Sequence, residues 1–206
     1  MQRPSAARIN SISRRIIRSS GGQFRRSCDV FINHRGVDTK RNVAGLLYHH
    51  LRGLRLRPFL DSKSMKPGDR LFDRIEVAIR ECKVGVAVFS PMYCDSYFCL
   101  HELKLMMEAR KKVVPIFCDV KPSELRVKDD DDGSRPVADI EKFRWALEEA
   151  KNTVGITFDT LRGDWPEFLA SATDAVIKNL IEVDEGGLTR KQKYAHASFS
   201  SRQRFS

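Results

Sequence analysis

The sequence predicts an α/β domain over roughly residues 27–182, built on a parallel sheet with helices on both faces. Three observations point there. Residues 84–89 (VGVAVF) and 113–118 (VVPIFC) are continuously apolar, as strands buried on both faces must be. Short β-prone runs alternate with amphipathic segments five times along the chain, the order that builds a parallel sheet through crossover helices. The charge is also unevenly placed. Of the formal net +10, residues 1–26 contribute seven Arg and no acid, and residues 185–206 contribute five Lys or Arg against one Glu. The middle of the chain is therefore close to neutral, which gives no support for a nucleic-acid groove in the core. A core of about 155 residues buries enough apolar surface to fold without metal or disulfide support.

The elements follow in order. Residues 29–33 (DVFIN) form a compact β-prone run. Residues 39–53 carry Val43, Leu46, Leu47, Leu51 and Leu54 at or just past helical spacing, with Asp38 or Thr39 as cap and Gly53 as terminator. Residues 57–60 (RPFL) form a second strand, which Pro58 marks as an edge. A polar loop, 61–70 (DSKSMKPGDR), contains a Pro-Gly turn signal. Leu71, Ile75, Ala78 and Ile79 make the next helical face. Strands at 84–89 and 113–118 then flank a helix marked by Leu100, Leu103 and Met107. An acidic loop, 121–139, precedes a helix holding Phe143, Trp145, Leu147 and Ala150. A weak strand at 155–158 and a helix from Trp165 to Ile181 finish the domain, with Pro166 near the first helical position.

Residues 1–26 are Arg- and Ser-rich without acid. They read either as a disordered basic tail or as a transit-like segment, with Ile9, Ile12, Ile16 and Ile17 on one helical face. Residues 183–206 read as a second disordered basic tail. The five cysteines are odd in number and lack a CxxC pair. Cys28, Cys82 and Cys118 sit in or beside apolar runs as free thiols do, which fits a reducing compartment. No apolar run approaches the eighteen or so residues of a membrane span.

Topology nominates the site before any family does. Ligands of parallel α/β sheets bind outside the carboxyl ends of the strands. The segments at that edge are 33–37, 61–69, 90–99 and 119–125. Arg35, after the first strand, can pair with a phosphate or stack on a base; the plain alternative is a solvated loop arginine. Glu102 lies off the Leu100/Leu103/Met107 face, so it points to solvent or to a cleft. An acid early in a helix is also favourable to the macrodipole alone. Tyr93, Tyr97 and Phe98 crowd this helix start as a base-stacking platform would. His49, His50 and His101 lack zinc-ligand spacing, Ser90 and Ser96 lie in no GxSxG elbow, and Asp129–Asp132 lacks the spacing of an EF-hand.

Four ordered segments together resemble the plant type of Toll/interleukin-1 receptor (TIR) domain. They are 28–39 (CDVFINHRGVDT), 61–71 (DSKSMKPGDRL), 86–90 with 96–103 (VAVFS, SYFCLHEL), and 114–120 with Pro122-Ser123. The resemblance implies a flavodoxin-like three-layer sandwich with a five-stranded parallel sheet. It further implies NAD+ hydrolysis at the nicotinamide–ribose bond, since many plant and bacterial members and one animal axon-degeneration enzyme cleave NAD+ there. The essential glutamate of that motif falls on Glu102. Arg35 and Gly36, with Ser96, Phe98 and Cys99, are then expected in the NAD+ pocket. Asp61, Lys66, Pro67 and Gly68 are expected in a loop that completes a neighbouring protomer's site. NAD+ enters as substrate, and no cofactor or metal is expected.

This sequence departs from the family pattern at three places. Phe98 stands where Trp is usual. Gly45-Leu46 replaces a Ser-His pair at a self-association surface, and Lys66-Pro67 replaces an acid followed by Arg. The resemblance implies signalling in plant immunity or cell death through self-association, with other TIR proteins as further partners. A non-catalytic adaptor using the same surfaces is the alternative. About 24 residues follow position 182, pointing to a TIR-only protein. Its expected location is the cytoplasm, or a chloroplast or mitochondrion if residues 1–26 act as a transit peptide.

Overall fold

The computed structural model describes residues 28–202 except 40, 41, 66, 67, 69 and 129–136. Side chains are described as far as residue 187, those of 62 and 137 excepted. The expectations for residues 1–26, Lys66, Pro67 and Asp129–Asp132 therefore lie outside the described residues.

Five parallel strands form one sheet in the order β2-β1-β3-β4-β5. They are β1 (Val30–His34), β2 (Pro58–Phe59), β3 (Val84–Phe89), β4 (Lys112–Cys118) and β5 (Ile156–Phe158). The helices are α1 (Val43–Gly53), α2 (Leu71–Glu81), α3 (Tyr97–Glu108), α4 (Val137–Lys151) and α5 (Trp165–Arg202). This is the parallel sheet covered on both faces that the alternation of elements predicted, in the flavodoxin-like form that the resemblance implied. β2 is an edge strand, where Pro58 forfeits no ladder hydrogen bond on its open side.

Strand parity divides the core in two. Val30 and Ile32 of β1, with Val84, Val86 and Val88 of β3, pack against α1 and α5. Phe31, Ala87 and Phe89 face α2, α3 and α4. Gly85 falls on this second face, and a Cβ there would lie 2.5 Å from Met106 Sδ, so its bareness lets α3 pack close. Asn33 shares parity with Phe31, which turns its side chain toward α3. That parity sets up the site.

Several local expectations need correction. The first helix does not run unbroken from residue 39. A helical turn (Gly36–Thr39) precedes α1, and Asn42 is the cap, its side chain accepting from Val43 N at 2.6 Å. Asp38 is diverted to Ser90, whose hydroxyl donates to it at 2.6 Å. α1 does end at Gly53, as expected, and Arg55, at φ 64, makes the left-handed turn that follows. Residues 61–64 form a further helical turn rather than open loop. Leu71 and Trp145 are exposed instead of buried, and Met106 replaces Met107 as the sealed core residue of α3. Finally, α5 extends past Ile181 to Arg202, so residues 183–202 of the segment expected to be a disordered tail are helical in their backbone. The first added turn is held by Lys83–Asp184 at 2.8 Å, Lys112–Glu182 at 3.3 Å and packing of Val183 on the core. Among the described residues no helix is long and apolar enough to cross a membrane.

Candidate active site

Asn33, one residue before the end of β1, is buried at 0 % exposure, so all its polar atoms need partners. It finds them on the segment leading into α3. Its amide donates to Glu102 Oε2 at 2.7 Å and to the Cys99 carbonyl at 3.2 Å. Its own oxygen accepts from the Tyr93 hydroxyl, which also lies 3.1 Å from the Cys99 carbonyl. Tyr93 is therefore a sealed core residue at 0 % exposure, not part of a stacking platform. Its ring packs edge-on to Phe89 at 4.6 Å.

Glu102 is thus fixed at the carboxyl edge of the sheet, where topology alone had placed the ligand. Burial pushes its carboxyl up to about 8; the Asn33 bond pulls the other way, and the nearby charge of Asp61 adds to the rise. The residue still keeps partial solvent contact. At pH 7 the carboxyl is therefore held mainly in its neutral form.

One turn before Glu102 on the same helix face, Phe98 is 45 % exposed. Helical side chains lean toward the N-terminus, so the Glu102 side chain reaches toward the Phe98 turn. Tyr97 is half-buried, stacked on His101 at 5.7 Å and edge-on to Phe143 at 5.5 Å. Of the three aromatics expected to form a platform, Phe98 alone presents an open ring.

The other expected pocket residues have defined structural duties. Ser96 caps α3, its Oγ accepting from Cys99 N at 3.3 Å. Cys99 is 4 % exposed, its thiol directed to the His34 carbonyl at 3.4 Å and pushed up to about 12 by burial. Arg35 does not point an idle guanidinium at a ligand. It donates to the Met92 carbonyl and lies 3.7 Å from Asp95 and 4.0 Å from Asp38, tying the β1 loop to the segment before α3. Gly36 is exposed at the start of its helical turn.

Asp61, first residue of the helical turn after β2, lies 4.0 Å from His34 Nε2 and close enough to Glu102 to act on its charge. Gly68 is exposed with φ +95, a turn conformation that favours glycine. Among the described residues no group of His, Cys, Asp or Glu is arranged to hold a metal ion.

Reasoning from sequence missed Asn33 as the residue that holds Glu102, and Phe72 as a neighbour of Phe98. The strand parity of Asn33 was readable. Its partner across 69 residues was not.

Comparison with known proteins agrees with the fold. The family model described as "TIR domain" matches residues 30–140. A protein of Brachypodium distachyon described as "Probable 2' cyclic ADP-D-ribose synthase BdTIR" is 50 % identical over 182 residues, covering 84 % of this chain and 80 % of its own. The "TMV resistance protein N" of Nicotiana glutinosa is 34 % identical over 157 residues; the match covers 66 % of this chain but 13 % of that longer protein. Among solved structures, the TIR domains of the activated Roq1 resistosome superpose with TM-score 0.64 at 28 % identity, over 73 % of this chain and 99 % of theirs. This chain belongs to the TIR domain family.

Proposed function

We propose that the protein cleaves NAD+ at the nicotinamide–ribose bond, with Glu102 as the catalytic carboxylate. The observation that carries this is the Glu102 carboxyl, pinned by the Asn33 amide at 2.7 Å, on the same helix face as the open ring of Phe98. The similarity to a protein described as a cyclic ADP-D-ribose synthase supports the same reading.

The chemistry suits a single carboxylate. When the bond from ribose C1′ to the ring nitrogen breaks, its electron pair neutralises the pyridinium, and nicotinamide leaves without being protonated. Positive charge passes to the ribose as an oxocarbenium ion. An ionised Glu102 at that ribose stabilises the cation or fixes its hydroxyls. A carboxyl that titrates near 8 gains this charge as the cationic substrate arrives, because a nearby cation favours the ionised form. Water then gives ADP-ribose. An internal hydroxyl gives a cyclic product, the outcome favoured by the name of the Brachypodium relative.

In this reading Phe98 meets the substrate directly. Arg35 and Gly36 shape the wall, while Ser96 and Cys99 act from behind as cap and backing of α3. Asp61, Lys66, Pro67 and Gly68 belong to the loop that meets a second protomer, and self-association completes the site. The likeness to the TIR domains of the activated Roq1 resistosome supports self-association. Concentrated protein incubated with NAD+ should release nicotinamide, measured by mass spectrometry, at a specific rate that rises with protein concentration. Glu102→Ala should fold and release none. Undiminished release from that variant would remove Glu102 from the mechanism.

A further inference from the structure

Tyr93 opens the short helical turn (Tyr93–Asp95) between β3 and α3, with its whole side chain sealed in the core. A phenylalanine would pack on Phe89 as well, so the hydroxyl is a cost unless it is bonded. It has one proton to give and two acceptors in reach, Asn33 Oδ1 and the Cys99 carbonyl at 3.1 Å. The Asn33 amide already donates to that carbonyl at 3.2 Å. The Tyr93 proton therefore goes to Asn33 Oδ1, which has no other donor among the described residues. A side-chain amide can sit either way round, since its oxygen and nitrogen fill almost the same space. Turned over, Asn33 would set Oδ1 against the Cys99 carbonyl and against Glu102 Oε2, which suits only a carboxyl protonated at Oε2. The Tyr93 bond holds it the other way, with Nδ2 toward both oxygens. Oε2 then accepts from Nδ2, which leaves Oε1 as the seat of the proton in the neutral carboxyl.

We infer that Tyr93 is a positioning residue for the reaction: by fixing the Asn33 amide it keeps Glu102 Oε2 an acceptor and confines the titrating proton to Oε1. The inference rests on the NAD+-cleaving function proposed above and adds a residue that acts without touching substrate. The Tyr93 bond also polarises the amide and strengthens its N–H as a donor. A donated bond favours the ionised carboxylate, so loosening it keeps Glu102 neutral to higher pH. Among the neighbours, Asp61, from the turn after β2, is the charge that acts on Glu102. Burial keeps the Tyr93 phenol and the Cys99 thiol protonated, so neither adds charge. The Arg35 charge reaches Cys99 and is matched by Asp38 and Asp95.

The test uses the full chain with Tyr93→Phe, which keeps the ring and its packing. Parent and variant are assayed for NAD+ cleavage from about pH 6 to pH 10, and the Glu102 carboxyl carbon is titrated by NMR over the same range. Tyr93→Phe should move the rising limb of log(kcat/KM) up by roughly 0.5–1 pH unit, with the carboxyl titration moving equally. Activity at pH 7 should then fall about 3- to 10-fold, and the deficit should narrow as pH rises. In an Asn33→Ala background, adding Tyr93→Phe should move the titration no further. In the parent itself the buried Tyr93 hydroxyl proton should shift as Glu102 titrates, a reading that needs no variant to fold. A uniform loss of activity with the limb unmoved would make Tyr93 structural only and overturn the inference. So would a hydroxyl signal indifferent to the Glu102 titration. A titration that moves with Tyr93→Phe in a protein that cleaves no NAD+ would overturn the catalytic reading and leave the hold of Tyr93 on Glu102 standing.

Discussion

Replacing Glu102 by Gln removes an ionisable group that the fold holds in its neutral form, and the consequence is a stability that responds differently to pH. The Glu102 carboxyl is pushed up to about 8 by burial, from an ordinary value of 4.5. A raised carboxylate means that the native state binds the proton more tightly than the unfolded chain does. Its contribution is fully present below pH 4.5 and is lost as pH rises toward 8, beyond which it stays lost. Between pH 5 and pH 8.5 the loss reaches a ceiling of about 4 kcal/mol at ~1.4 kcal/mol per pH unit. Partial solvent contact at Glu102 screens part of this, so about 2 kcal/mol is the working figure. Glutamine keeps an oxygen to accept from Asn33. The cost of its extra amide donor is the same at both pH values and cancels in the comparison. The variant should therefore gain roughly 4–8 °C in melting temperature over the parent on moving from pH 5 to pH 8.5. Circular-dichroism melts at several pH values read this directly. A melting-temperature difference between Gln and Glu that does not change with pH would refute the buried, neutral carboxyl.

The remaining predictions bear on the site and its scaffold. If ionised Glu102 is the reactive form, log(kcat/KM) for NAD+ should rise with pH to about 8 and then level. Asp61→Asn removes a negative neighbour and should move that limb to lower pH, read from a pH–rate series. Asn33→Ala should cost activity at least 10-fold by freeing Glu102. It should also cost about 1–2 kcal/mol in urea unfolding, since Glu102 loses its buried donor and the Tyr93 hydroxyl is left with the Cys99 carbonyl alone as acceptor. Gly155→Ala should destabilise by about 1–3 kcal/mol, because its Cβ would meet the Pro115 carbonyl oxygen at 2.7 Å. Gly85→Ala should cost less, since its Cβ meets the movable thioether of Met106; equal costs for the two would contradict that reasoning.

Much of the fold was legible because its signals are local. The continuous apolar run of β3 maps onto the same six residues in the structure, and Pro58 marks β2 as an edge strand. Failures occurred where neighbours decided the outcome. Asp38 looked like a helix cap, but Ser90 claims it across 52 residues and Asn42 caps instead. Trp145 stands with Phe143, Leu147 and Ala150 in the helix read from sequence, but two residues from each of the first two it lies on the opposite side of α4 and faces solvent. Arg35 looked available for a phosphate, and the structure commits it to Met92, Asp38 and Asp95.

By itself the sequence determined the α/β class, the carboxyl edge as the place for a ligand, and the family to which Glu102 and Phe98 point. Periodicity and chain order suffice for the class and the edge, since both act between residues close in sequence; the family rests on the resemblance of four ordered segments. Only the tertiary structure decided what surrounds Glu102. Parity turns Asn33 toward α3, Tyr93 fills the space behind it, Asp61 arrives from β2, and Phe72 comes from α2 to lie on Phe98. Burial and long-range hydrogen bonds set the charge state of a carboxyl, and neither is a property of any segment alone.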